Sequence, residues 1–189
     1  MPTPGRRPLG AMALVLGAFA AFGAVAAPAR PAGAQAPGPE LSLSAGAMQF
    51  DASGTGVAPT AAARAALPVA GRWLLADGSL AYAALGEQFA PSPTRVAVAE
   101  GQLHLQAPLG PVRPYLGVGG GWVRYLSNAG GQPAAPGTLS GAAGLRVAVS
   151  GRLGVRGELR VRGWQRTSDG DFGFVNSAAE YTGGVTYAF

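Results

Sequence analysis

The chain has 189 residues, with 31 glycines, 16 prolines, no cysteine and no lysine; its 14 basic residues are all arginine and stand against 9 acids. Charged residues make up only 12% of it, against a globular norm of roughly 25%. The missing cysteines exclude a disulfide framework, a Cys/His zinc site and a lipidated thiol, and a single histidine, His104, would leave any metal to oxygen ligands. Neither metal nor cofactor is expected.

The chain opens with Arg6 and Arg7 before an apolar stretch over 9–27 that runs into small residues. A basic start, an apolar middle and a small-residue exit form the pattern of a secretory signal, so residues 1–34 are expected to be a cleaved leader for the general secretory route. Cleavage would follow Ala32-Gly33-Ala34, with Ala24-Val25-Ala26 as the alternative site. An uncleaved anchor is the competing reading, disfavoured because the stretch is rich in alanine and glycine. Removing Arg6, Arg7 and Arg30 leaves 11 arginines against 9 acids, too even a balance for nucleic-acid binding. Residues 35–40 read as a short linker and 41–189 as one domain.

From there the pattern has a period of two. Segments 41–50, 60–69, 72–83, 94–107, 112–126, 138–149, 152–164 and 179–189 each alternate in character, as strands do whose successive side chains point to opposite faces. Segment 60–69 is the weakest, since its alanines would also suit a helix. In 94–107 Ala97, Ala99, Leu103 and Leu105 oppose Glu100, Gln102, His104 and Gln106, while Val96 and Val98 break the pattern. Segment 138–149 sets Leu145 and Val147 against Arg146. Segment 152–164 is the clearest, with Leu153, Val155, Leu159 and Val161 against Arg156, Glu158, Arg160 and Arg162. The last sets Tyr181, Val185, Tyr187 and Phe189 against Glu180, Thr182 and Thr186.

The connections alternate strictly between long and short. An antiparallel up-and-down meander does this when one rim carries extracellular loops and the other periplasmic turns. The sequence therefore predicts an all-β, eight-stranded antiparallel barrel. A soluble, lipocalin-like barrel would bury its apolar face; a membrane barrel inverts the faces, and three features favour inversion. The apolar face is built of small and medium residues with aromatics at segment ends: Tyr82, Trp122, Tyr125 and Trp164 toward the long-loop rim, and Tyr115 toward the short-turn rim, as two interfacial girdles. Asp77, Glu100, His104, Arg146, Arg156, Glu158, Arg160, Arg162 and Glu180 are expected to form an ionic network filling the narrow interior. The chain also closes on an aromatic residue.

That closing pattern, with Tyr181, Val185, Tyr187 and Phe189, resembles the signal read by the outer-membrane assembly machinery. Together with Pro114-Tyr115-Leu116-Gly117-Val118-Gly119-Gly120-Gly121-Trp122 it resembles the small outer-membrane β-barrel family that includes the membrane domain of outer-membrane protein A and its short single-domain relatives. The resemblance implies a transmembrane barrel in the cell outer membrane, assembled through its last strand and in contact with outer-membrane lipid and lipopolysaccharide. No peptidoglycan-binding domain is expected after it.

Other constellations carry less. His104 and Glu100 share a face but stand about 13 Å apart along a strand at ~3.3 Å per residue, too far for an acid–base pair. Gly117 to Gly121 lacks the companions of a phosphate loop, and its glycines are better read as room for bulky neighbours. Asp169-Gly170-Asp171 is too short for a calcium loop and reads as solvated. The expected function is that of a monomeric structural barrel with surface loops and no catalysis. A narrow small-solute channel is the first alternative, and an enzyme acting on outer-membrane lipid the second.

Overall fold

The computed structural model describes residues 38–50, 56–85, 94–126, 137–164 and 176–189. They form eight strands: β1 (Glu40–Phe50), β2 (Gly56–Ala70), β3 (Leu74–Leu85), β4 (Thr94–Gln106), β5 (Val112–Tyr125), β6 (Gly137–Ala148), β7 (Leu153–Trp164) and β8 (Asn176–Ala188). Each pairs antiparallel with its sequence neighbours, and β1 pairs with β8 from Glu40↔Ala188 to Phe50↔Ala178, so the sheet closes on itself. Closure leaves no edge strand with unpaired backbone groups, the condition for a sheet to cross a membrane. At 11 to 15 residues the strands reach the length that a tilted crossing needs.

The alanine-rich segment is a strand, because in a closed barrel it has a partner on both sides and its weak intrinsic preference does not decide. It starts at Gly56, four residues earlier than the pattern indicated, and takes in Pro59. Proline is tolerated there because Pro59 pairs with Ala47 of β1, while the ladder to β3 begins only at Thr60. Glu40, read from the sequence as linker, is the first residue of β1, and its side chain is buried. Two of the short turns rest on left-handed glycines, Gly71 (φ 56°) and Gly110 (φ 69°), which close tight connections at no steric cost.

The faces are inverted relative to a water-soluble barrel. Leucines and valines stand outward on every strand whose outer face is described, with Leu80 and Leu116 each 66% exposed. Every acid of the described residues is buried inside, as are five arginines.

Candidate functional site

The interior is built around β7, whose Arg156, Glu158, Arg160 and Arg162 point inward from alternate positions. Three guanidinium groups on one face of one strand repel each other, and desolvation raises the cost. The barrel meets it by bringing one carboxylate each from β3, β4 and β8. Asp77 accepts from Arg156 Nη1 at 2.8 Å and lies 3.5 Å from Arg160 Nη2. Glu100 accepts from Arg160 Nη1 and from Arg162 Nε, both at 2.9 Å, and from the Thr138 hydroxyl at 3.1 Å. Glu180 pairs with Arg162 and, at 3.3 Å, with Arg64.

Glu158 is the hub. It receives Arg156 Nη2 at 2.6 Å, Arg160 Nε at 2.9 Å, Arg64 Nη2 at 3.1 Å and the Tyr115 hydroxyl at 2.5 Å. Toward the short-turn rim Arg146 continues the network, with Nε 3.6 Å from Glu40 and Nη2 3.6 Å from Asp77. Arg113 lies 3.7 Å from Glu40 at the mouth. All nine residues read from the sequence as an interior network therefore face inward, in one connected cluster.

His104 is held in this cluster and 0% exposed. Arg146 Nη2 lies 3.0 Å from its Nδ1. A guanidinium only donates, so Nδ1 accepts, and the ring proton sits on Nε2, which donates to Gln102 Oε1 at 2.9 Å. Gln102 passes the chain on to the Ser140 hydroxyl at 2.7 Å. His104 and Glu100 thus bond to different partners and form no acid–base pair. Among the described residues no three metal-ligating side chains converge.

Two of the expected interfacial aromatics turn the other way. Tyr115 does not sit at the lipid boundary; it is 3% exposed and lies inside, stacked on His104 with ring centroids 4.7 Å apart, its hydroxyl taking a hydrogen bond from Arg156 Nε at 2.8 Å. The reason is strand parity: Tyr115 shares its face with Gly117, Gly119 and Gly121. A side chain at Gly117 would collide with His104 and Gln102, and one at Gly144 with the Tyr115 ring. Those glycines marked a crowded interior face and were the signal that placed Tyr115 on it. Tyr125 likewise follows Val123 inward and packs on an interior apolar cluster. Tyr82 and Trp122 do stand outward at the long-loop rim, Trp122 64% exposed, while Trp73 and Phe189 are exposed at the other. The Trp164 side chain and the Asp169-Gly170-Asp171 segment lie outside the described residues.

The interior is also not ionic throughout. Met48, Ala58, Ala62, Ala81, Ala83, Val96, Val98, Val123 and Ala178 form a buried apolar layer on the long-loop side, with Phe50 against it. Val96 and Val98, which break the alternation of their segment, belong here. The boundary falls between consecutive inward positions: Ala62 and Arg64 on β2, Ser79 and Ala81 on β3, Val98 and Glu100 on β4, Ala178 and Glu180 on β8. The sequence reading missed Arg64, hidden among alanines, although it is the charged member of an inward series.

No family model matches the sequence, and no curated protein matches it. Solved structures do. Neisserial surface protein A aligns over 82% of this chain and 99% of its own at 16% identity, with a TM-score of 0.65. The N-terminal β-barrel domain of Pseudomonas aeruginosa OprF aligns over 82% of this chain and all of its own at 13% identity and a TM-score of 0.50. This is the fold of the small outer-membrane β-barrels. The outer-membrane enzyme PagL has it too, aligning over 79% of this chain and 99% of its own at 12% identity and a TM-score of 0.54. An outer-membrane barrel fold therefore accommodates both catalytic and other roles, and chemistry has to be read from the side chains.

Proposed function

We propose that this protein is an integral barrel of the cell outer membrane with a structural role, its interior filled by side chains and its long connections turned to the cell exterior. The observation that carries the reading is the pairing of an apolar outer wall with a two-layered interior. Five buried arginines balance five buried carboxylates, and an apolar layer covers them on the long-loop side. An eight-stranded barrel is just wide enough for side chains to fill it, and both layers use that width fully. The channel reading is disfavoured because a solute would have to part the apolar layer and the Glu158 cluster in turn. Catalysis on lipid is disfavoured because His104, the only histidine, is sealed behind Tyr115, Gln102 and Arg146.

The remaining parts of the reading follow the same logic. Residues 1–34 would direct export, and the outward side chains Tyr181, Val185, Tyr187 and Phe189 of the last strand region would be presented to the assembly machinery. Outer-membrane lipid and lipopolysaccharide would meet the wall, and the barrel would act as a monomer without a cofactor. Two measurements test the proposal. Envelope fractionation with boiled and unboiled gel samples is expected to find the protein in the outer membrane with heat-dependent mobility; recovery in the soluble periplasm would refute it. Planar-bilayer recording is expected to give no reproducible unitary conductance, and a stable conductance would favour the channel instead.

A further inference from the structure

The ionic layer is not sealed on its short-turn side. There Ala148, Gly154 and Thr186 pair directly across β6, β7 and β8, and strand parity with the buried Arg146, Arg156 and Thr182 turns them inward. This row of small side chains lies one step below the paired Arg146 and Arg156 and leaves a cavity of about 70 Å³. Glu40, Arg113 and Arg146 line it too, and Ser150 and Arg152 of the β6–β7 turn border it. A water-sized group needs ~10–15 Å³ of such space, so about five heavy atoms fit. That is the size of a tetrahedral oxyanion.

Two polar atoms of the residues lining this cavity are fully buried and make no hydrogen bond, Arg146 Nε and Thr186 Oγ1. The rest of the Arg146 guanidinium is engaged, Nη1 on Gln106 at 2.9 Å and Nη2 on His104 at 3.0 Å, so Nε is the edge it offers to the mouth. Glu40 does not satisfy it. Its carboxylate stands 3.6 Å from Arg146 Nε and 3.7 Å from Arg113 Nη1, beyond hydrogen-bond reach of both. Two buried polar atoms left without partners around one cavity point to a guest that answers both. Charge narrows the choice. The charged side chains around the cavity are Arg113, Arg146, Arg152 and Glu40, a surplus of two positive charges, and Arg152 donates only to the neutral Tyr187 hydroxyl at 3.2 Å. Water fits the space but not the charge. Glu40 adds a second condition, because a carboxylate repels a bare anion and accepts from one that carries a proton. Hydrogen phosphate has two negative charges and one P–OH; sulfate has the same shape and charge and no proton.

We propose that this cavity at the short-turn mouth binds inorganic hydrogen phosphate. Arg146 Nε, the Thr186 hydroxyl and the guanidinium groups of Arg113 and Arg152 donate to its oxygens, and its P–OH donates to Glu40. So held, the anion seals the ionic layer on the short-turn side as the apolar layer seals it on the other. The site needs only the folded barrel and does not depend on the compartment.

The test titrates the refolded protein, in detergent micelles and phosphate-free buffer at neutral pH, with inorganic phosphate, sulfate and dimethyl phosphate in a calorimeter. Phosphate is expected to bind at one saturable site and to raise the urea midpoint of unfolding. Sulfate and dimethyl phosphate, which lack the P–OH, should bind at least about tenfold more weakly. Thr186→Val keeps the volume and should weaken phosphate about tenfold; Arg113→Gln and Arg152→Gln should each weaken it about fivefold. Glu40→Gln removes the repulsion and should bring sulfate to within about threefold of phosphate. No saturable phosphate binding would leave water alone in the cavity and overturn the proposal. Equal binding of sulfate and phosphate by the unmodified protein, a measurement that needs no variant to fold, would overturn it as well, as would unchanged discrimination in a folded Glu40→Gln. Dimethyl phosphate binding as tightly as phosphate would assign the space to a lipid headgroup diester and overturn it too.

Discussion

The same eight strands enclose two interiors of opposite character. On the short-turn side the volume is filled by long charged side chains, each held by partners from strands distant in sequence, such as Arg160 between Glu158 on its own strand and Glu100 and Asp77 across the barrel. On the long-loop side it is filled by alanine, valine and one methionine, with no directional demand. The two layers fix different things. An apolar layer tolerates exchange of one small side chain for another, whereas the ionic layer works only in one register: a one-residue slip of β7 would turn Arg156, Arg160 and Arg162 into hydrocarbon and Leu159 and Val161 inward. The ionic layer therefore selects the pairing of the strands, and the apolar layer closes the barrel over it.

The largest effect that would break this contrast is expected at its hub. Glu158→Leu removes the carboxylate shared by Arg64, Arg156 and Arg160 and leaves buried guanidinium groups uncompensated. The expected loss is about 3–5 kcal/mol in reversible urea unfolding from lipid vesicles; a loss below 1 kcal/mol would mean that the cluster is dispensable. Next comes the outer face of the same strand. Leu159→Arg, one residue along and pointing the other way, is expected to cost roughly 2–4 kcal/mol because it puts a charge at mid-membrane depth. If the two adjacent substitutions unfolded the barrel through the same term, raising the lipid chain length would alter both; only Leu159→Arg is expected to respond to bilayer thickness.

Most of this architecture was legible from alternation alone, and the exceptions have physical causes. β7 declares both faces because four successive inward residues, Arg156, Glu158, Arg160 and Arg162, are long and charged. β2 declares neither, since alanine serves equally well against lipid and inside a crowded barrel; Arg64 is the one charged marker of its inward series. Glu40 was obscured by the proline and alanine before it, although it anchors Arg146 and Arg113 at the mouth. The apolar layer was hidden because inward valines resemble a broken pattern when the interior is assumed to be polar throughout. Tyr115 and Tyr125 were misplaced because an aromatic near a strand end fits both an interfacial girdle and an interior cap, and only the parity of their neighbours separates the two.

Tyr115 offers the sharper test of that parity. Tyr115→Phe keeps the ring on His104 but removes the hydroxyl that joins Arg156 to Glu158. A hydrogen bond to a charged group is worth about 1.5–3 kcal/mol, so a loss in that range is expected, while Tyr82→Phe at the lipid boundary should stay within about 0.5 kcal/mol. Equal effects would return Tyr115 to the girdle.

Among the interior substitutions the smallest expected effect lies in the apolar layer. Val98→Ala deletes two methyl groups from a closed site flanked by Val123 and Ala81, its direct partners on β5 and β4's other neighbour β3. At about 0.8 kcal/mol per buried carbon the transfer loss is about 1–2 kcal/mol, and no charge is orphaned. Because the layer has no directional bonds, the variant should keep the wild-type heat-dependent mobility and unfold in one transition at slightly lower urea. Val98→Thr has nearly the same volume but places a hydroxyl among apolar neighbours. If Val98→Thr were tolerated as well as Val98→Ala, water would have to reach this depth from the long-loop side, and the layer would no longer separate the ionic cluster from the exterior. A greater loss for threonine than for alanine is the outcome expected of a dry seal.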